Sequence, residues 1–505
     1  MFGFLFADDT QKMEWVNYDE NDVPKYELPE ALKMENGDAV GTPEKWTDER
    51  RGELYELFAQ QMFGKLPPVL QEAGNYPDFV TYELMEEDTE ALGGKAIRRQ
   101  VAIYFCPPET EKRIEVLPEA EASGVKKCND SAKYEAVNKE KAGEEGLLDD
   151  DPRPAQMPDA ATAPVRDRVE MTFSENAGFS AKAYQVAVLL IYIPKNAEGA
   201  VPVFLSPNFQ GNHTVCDDSA IFLSGDFLDE NGKPIQDESR LPHERRRGSD
   251  ASRWPLEKIL DAGFALATVF YQDLVPDKND GLRAGLPKVY GKDFSDKGSW
   301  AAISAWAWGL SRAMDYLETD EKFDSRKVAL MGHSRLGKTA LWAGAGDPRF
   351  AVIISNNSGC GGAAISRREF GERVERINRV FPHWFCENFH GYGDCVNDLP
   401  FDQHELIALI APRPVYVASA QEDLWADPYG EFLSAFHAVP VYKLLGTDAF
   451  GDVTDGTKLP PLNVSVGGTI GYHIRAGAHD VTDFDWDQYI GFVKKHFRME
   501  GEQVK

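Results

Sequence analysis

Short apolar runs recur along most of this chain, and their length and spacing set the first expectation. YQVAVLLIYIP, VPVFLSPNF, FALATVFY, KVALMGHS, AVIISNNS, PVYVASA and GYHIRAG are each β-rich and apolar on both faces. Strands of that kind suit a sheet covered on both sides. Helix-patterned segments lie between several of them, notably AAISAWAWGLSRAMDYLETD and LGKTALWAGAG. Alternation of strand and helix implies a mostly parallel central sheet with right-handed crossovers and helices on both faces. The aromatic helix around Trp306 and Trp308 reads as core.

The remainder of the chain frames this pattern. Residues 1–75 read as a lead-in packed on a catalytic domain of residues 76–505. Within the lead-in, Thr42 caps a helix, Pro43 sits in its first turn and Gly64 ends it. FVTYELM and AIRRQVAIYF follow as strands. Three stretches break the periodicity and read as surface insertions: about 107–168, acidic and rich in Pro and Ala; 217–255, with the basic run Arg245-Arg246-Arg247; and 447–468, rich in Gly, Asp and Pro.

Composition narrows the partners. The 505 residues carry a formal charge of −29, which disfavours nucleic acid and anionic membrane surfaces. No apolar run reaches the ~18 residues of a membrane span. The start, MFGFLFADDTQKMEW, lacks the basic region of a complete signal peptide; a secreted or periplasmic protein whose signal has been removed is the expectation. The six cysteines form no CxxC pair. Cys386 and Cys395 are spaced to bridge in an oxidising compartment and equally to remain thiols. His383, Cys386, His390 and Cys395 lie close together, but their spacing fits no zinc pattern, so no metal or cofactor is expected.

The chemistry concentrates in KVALMGHSRLGKTALWAG. A buried strand ends at Met331, Gly332 to Gly337 makes a turn, and a helix begins. A serine in such a turn is lifted above the sheet. This places Ser334 as nucleophile and the Arg335 amide, at a helix N-terminus, as an oxyanion donor. The second glycine falls one residue later than in G-x-S-x-G. Such turns also occur without catalysis; chain order supports the catalytic reading, because an α/β-hydrolase runs Ser, acid, His. His479 follows the last strand. The loop after PVYVASA offers Glu422, Asp423 and Asp427. Glu422 alternates away from its neighbour, Asp427 precedes a proline as turn residues do, and Asp423 remains as the acid. His213 reads as structural in a loop that matters for its backbone amides. His333 reads as elbow packing, and His404 as a residue that fixes backbone or borders the site without chemistry.

With these residues placed, the sequence resembles the glucuronoyl esterases of carbohydrate esterase family 15, in their bacterial form. The matching pieces run in order: VPKYELPEAL, NFQGNH, GHSRLGKTALWAGA, NNSGCGGAA, FPHWFCENF, LPFDQHELIALIAPRPVYVASA, DLWADPYGEF and AGAHD. The resemblance implies the α/β-hydrolase fold and hydrolysis of esters of (4-O-methyl-)glucuronic acid on xylan, as in lignin-carbohydrate esters. It implies Ser334 as nucleophile, His479 as base, an oxyanion-supporting side chain at Arg335, and sugar-binding roles for Lys338, Glu372 and Trp425. One departure stands out. Many members carry the acid in Glu-Ser-Gly-x-Gly-Gly; here Asn357 occupies that position, and bacterial relatives that use the later loop point to Asp423. The competing expectations are an acetylxylan esterase or another carbohydrate deacetylase, and an inactive binding protein of the same fold. A monomer is expected.

Overall fold

Val203 and Leu205 of β4 (Val201–Asn208) enter one buried cluster, while Phe204 between them enters another. The same split runs through β6 (Phe323–His333), β7 (Val352–Asn356) and β8 (Val415–Ala420), because successive side chains leave a strand on opposite faces. Two cores, one on each side of a single sheet, are the result. The structure is a computed structural model that describes residues 16–71, 79–107, 185–223 and 246–499. All of these fall in one compact unit, Met1–Pro108 with Met171–Lys505.

The sheet has ten strands in the order β1-β2-β3-β5-β4-β6-β7-β8-β10-β9. The added strands are β1 (Val80–Glu90), β2 (Ala96–Phe105), β3 (Gln185–Pro194), β5 (Ala265–Phe270), β9 (Val466–Gly467) and β10 (Ile470–Arg475). From β5 through β10 the pairing is parallel. β1, β2 and β3 form an antiparallel edge, and β9 pairs antiparallel with β10. The mostly parallel sheet and its helical cover are those of an α/β-hydrolase.

One face is covered by α2 (Ala302–Thr319), α3 (Arg335–Gly346) and α5 (Pro428–Leu444), which contribute Trp306, Leu341 and Phe432 among others. The other is covered by α1 (Leu256–Asp261) and α6 (Asp483–Phe497), through Ile259, Trp486 and Val493. A shorter helix, α4 (Gln403–Ala408), starts from a capping box between Asp402 and Glu405.

The N-terminal helix runs over residues 43–63 and ends at Gly64, with Thr42 accepting from the Lys45 amide and Pro43 in its first turn. Two of its turns are π-type, at Trp46–Arg50 and Ala59–Phe63. Its aromatic face joins the first core: Phe58 stacks on Phe401 with centroids 3.9 Å apart, and Phe63 and Tyr55 stack on Trp342 at 4.4 and 4.7 Å. Fully burying a ring of this size stabilises by ~1.5–3 kcal/mol.

The expected insertion at 107–168 lies, after Pro107, outside the described residues, as do 224–245 of the second insertion. The third is not wholly surface. It contains β9, and its Ala449 and Phe450 are buried, Phe450 packing against Phe432 at 5.8 Å. Cys386 and Cys395 are free thiols, the first buried and the second exposed. Among the described residues no helix is long and apolar enough to cross a membrane.

Candidate active site

The turn between β6 and α3 is fixed by two contacts that only glycine permits. A Cβ on Gly332 would lie 2.0 Å from the Leu336 carbonyl oxygen, and one on Gly337 would lie 2.9 Å from the Ser358 Cβ. The second glycine is therefore needed one residue late because it faces the loop after β7. Ser334 itself holds φ 55° and ψ −130°, a region that non-glycine residues rarely adopt. Its amide donates to the Asn356 carbonyl at 2.9 Å and its carbonyl accepts from Gly337 at 2.8 Å. These bonds hold the backbone in that strained turn at the N-terminus of α3.

His479 leaves β10 through the turn at Gly477 and points its Nδ1 at Asp423 Oδ2, 2.6 Å away. Its ring lies against that of His333, the neighbour of Ser334, with centroids 4.5 Å apart. His333 is buried and bonded through Nδ1 to Asn356 Oδ1 at 2.6 Å; burial, more than any neighbour, holds its basicity well below that of a free imidazole. Of the three acids in the loop after β8, Asp423 faces His479. Asp427 is turned away, capping α5 by accepting from Gly430 at 2.9 Å and pairing with Arg368 at 2.8 Å. Burial pushes the Asp427 carboxyl up to about 6 despite that arginine.

Asn357, the residue that the resemblance set against the family's acid position, touches Asp423. Its Nδ2 donates to Asp423 Oδ2 at 2.7 Å, the same oxygen that meets His479. A carboxylate only accepts, so this fixes which end of the Asn357 amide faces it. Burial raises the Asp423 carboxyl, but the His479 contact and the Asn357 bond outweigh it and leave it below the ordinary range.

Arg335 and Lys338 project from the first turn of α3. The Arg335 guanidinium pairs with Asp277 and lies within 4.8 Å of the Trp384 ring centroid and 5.6 Å of that of Phe381. Lys338 is buried, and its Nζ donates to the Ser358 carbonyl at 2.7 Å. Burial lowers its affinity for a proton, partly offset by the charge of Glu372. Glu372 is half-buried; burial raises its carboxyl against the opposing pull of Lys338, Arg376 and Arg335. Its amide donates to the Trp425 carbonyl at 2.9 Å. That approach requires Gly371, at φ +62°, where a Cβ would come within 2.4 Å of the Leu424 carbonyl oxygen. Trp425 is half-buried under the Arg376 guanidinium, 5.1 Å from its centroid.

Three site residues escaped the sequence reading. Asp277, Asn357 in its role as donor, and Glu431 are recognisable only through partners distant in sequence. Glu431, on α5, is fully buried under the loop after β7, accepting from Gly359 N at 3.0 Å and from Ser419 Oγ at 2.6 Å. Burial pushes its carboxyl up to about 8. His404 fixes backbone, donating to the Pro29 carbonyl at 3.0 Å. His383, considered above for zinc, gives its Nε2 to Asp277 at 2.7 Å instead. Among the described residues no cluster of three metal-ligating side chains occurs.

A doubly covered, mostly parallel sheet with a strained strand-to-helix serine, followed in chain order by a paired Asp and His, defines a serine hydrolase of the α/β-hydrolase class. Its sequence places it further. The profile of the fungal glucuronyl esterases matches residues 256–446. A carbohydrate esterase from an unknown prokaryotic organism is 43% identical over 488 residues, 95% of this chain and 92% of that protein. Among solved structures, a family 15 esterase from a marine bacterial metagenome, described as promiscuous, is 41% identical with a TM-score of 0.70, covering 95% of this chain and all of that one. A glucuronoyl esterase from Solibacter usitatus is 38% identical with a TM-score of 0.72, covering 94% and 100%. The chain belongs to carbohydrate esterase family 15, the glucuronoyl esterases.

Proposed function

We propose that this esterase hydrolyses esters of (4-O-methyl-)glucuronic acid, as in the lignin-carbohydrate esters of glucuronoxylan, through an acyl-enzyme on Ser334. In this reading His479 takes the Ser334 proton as Oγ attacks the ester carbonyl, and Asp423 stabilises the imidazolium that forms. The Arg335 amide and side chain meet the charge that grows on the carbonyl oxygen. His479 returns the proton to the leaving alcohol; water, activated by the same histidine, then releases the uronate. Neither step requires a metal or cofactor.

The observation that carries the substrate assignment is the pair of cations, Arg335 and Lys338, on the first turn of α3 in a chain of charge −29. With Glu372 and Trp425 beside them they offer donors, an acceptor and a ring to the hydroxyls and face of a uronic acyl group, features an acetyl group lacks. Lys338 uses one of its three donors on Ser358, leaving capacity for sugar hydroxyls, and Glu372 and Trp425 lie side by side on the adjoining loops. Residues 76–505 form the catalytic domain in this reading, with the preceding segment as its lead-in. In this reading the enzyme meets a polymeric substrate outside the cytoplasm, as a secreted or periplasmic protein, and works as a monomer. Acetylxylan or general ester hydrolysis is the second reading, favoured by the promiscuity ascribed to the marine relative.

The test is kcat/KM for the methyl ester of glucuronic acid against 4-nitrophenyl acetate. Specific sugar contacts worth ~1–3 kcal/mol each predict a preference for the uronate ester of at least about tenfold. Equal or better turnover of the acetate would promote the second reading.

A further inference from the structure

The Asp277 carboxylate is the meeting point of four donors. Its Oδ2 accepts from the Arg335 guanidinium and from the Tyr271 hydroxyl at 2.6 Å; its Oδ1 accepts from His383 Nε2 at 2.7 Å and from Trp384 Nε1 at 2.7 Å. Its side chain is 4% exposed, and the donors come from three separate stretches: the loop after β5, the elbow, and residues 381–386. Four charge-assisted bonds fill a carboxylate's acceptor sites, so this group is ionised and cannot turn. The other ring nitrogen of His383 is buried without a partner, so Asp277 sets the orientation of that ring.

Of the four donors, Arg335 alone adjoins the nucleophile. Its Nε is buried and meets no acceptor. A buried N–H without a partner is costly unless a ligand or a transition state supplies one. A second carboxylate, Glu372, lies near enough for the Arg335 charge to act on it. Asp277, the carboxylate bonded to the guanidinium, therefore sets the direction in which it lies.

We infer that Asp277 is a positioning residue of the esterase: locked by Tyr271, His383 and Trp384, it holds the Arg335 guanidinium beside the elbow, so that donors not spent on Asp277 can meet the oxygen of the scissile carbonyl. This rests on the oxyanion role proposed above for Arg335. It also gives a function to the His-Trp pair of FPHWF, which lies outside the triad. Asp277→Asn keeps the shape but loses the charge, leaving the part-buried guanidinium without its ion pair.

The experiment is a double-mutant cycle of Asp277→Asn and Arg335→Ala on the full chain. kcat and KM are read on methyl glucuronate and on 4-nitrophenyl acetate, the second probe being independent of sugar binding. Asp277→Asn is expected to lower kcat on both by about 10–100-fold with KM changed less than about threefold, as for a group felt only in the transition state. In the Arg335→Ala background the same change should cost less than about threefold, because nothing remains to position. An equal loss in both backgrounds overturns the proposal. So does full activity of Asp277→Asn while Arg335→Ala is impaired. Full activity of Arg335→Ala instead removes the oxyanion reading and this inference with it. Tyr271→Phe, which deletes one donor and keeps the ring, serves if Asp277→Asn does not fold. It should lower kcat by about 2–10-fold only when Arg335 is present, and wild-type kcat in this variant would overturn the proposal.

Discussion

Asp423→Asn should lower kcat about 10⁴-fold, the loss expected when a serine triad forfeits its carboxylate. The substitution is nearly isosteric, so the fold and the contact to His479 have no reason to collapse. What disappears is charge. Asp423 is buried and bonded to His479 at 2.6 Å, and its carboxyl sits below the ordinary range, so it carries its charge at neutral pH. A neutral amide cannot stabilise the imidazolium, and its NH₂ end favours the wrong tautomer. Asn357→Ala should lose far less, because it removes one donor to Asp423 and leaves the charge. Steady-state kcat with thermal melts as the folding control checks both variants. Near-normal turnover by Asp423→Asn alongside a large loss in Glu422→Gln or Asp427→Asn would move the acid to another position in the loop. The geometry already opposes Asp427, which is committed to Arg368 and the cap of α5.

Arg335→Ala should lose about 10²–10³ in kcat with little change in KM, ~2.7–4 kcal/mol of transition-state stabilisation. The loss is partial because the residue-335 amide remains at the N-terminus of α3 whatever its side chain. Arg335→Lys should also fall short. A lysine offers a point charge where the structure uses a flat group, paired at one edge to Asp277 and lying over the rings of Trp384 and Phe381. Unchanged kcat in Arg335→Ala would leave the residue a structural member of the elbow.

Local pattern carried the sheet and the elbow. Seven apolar runs became seven strands because a strand buried on both faces is written as a continuous apolar segment. The elbow was legible because its chemistry lies within six consecutive residues. The direction of β3 was not legible. YQVAVLLIYIP has the composition of a buried parallel strand, yet β3 runs antiparallel to β5; burial on both faces, not direction, sets that composition. The reading of 447–468 as a surface insertion missed β9 and the buried Phe450 because two-residue strands carry no period. Asp277 was invisible for a different reason. Its partner Arg335 lies 58 positions away and His383 a further 48, and no periodicity links them. Asn357 was read by what it lacks, a charge. Its contribution as a donor to Asp423 emerged only when the loops after β7 and β8 were seen side by side.

The central claim is that Ser334 is the nucleophile, and an active-site-directed fluorophosphonate tests it most directly. The reagent phosphonylates a serine only where a neighbouring base and an oxyanion site activate it. The account predicts that activity falls in step with labelling, that complete loss coincides with about one phosphonyl group per chain, and that peptide mass spectrometry places it on Ser334. Ser334→Ala should take up no label. Complete inactivation with the label elsewhere, or full activity with Ser334 fully labelled, would contradict it.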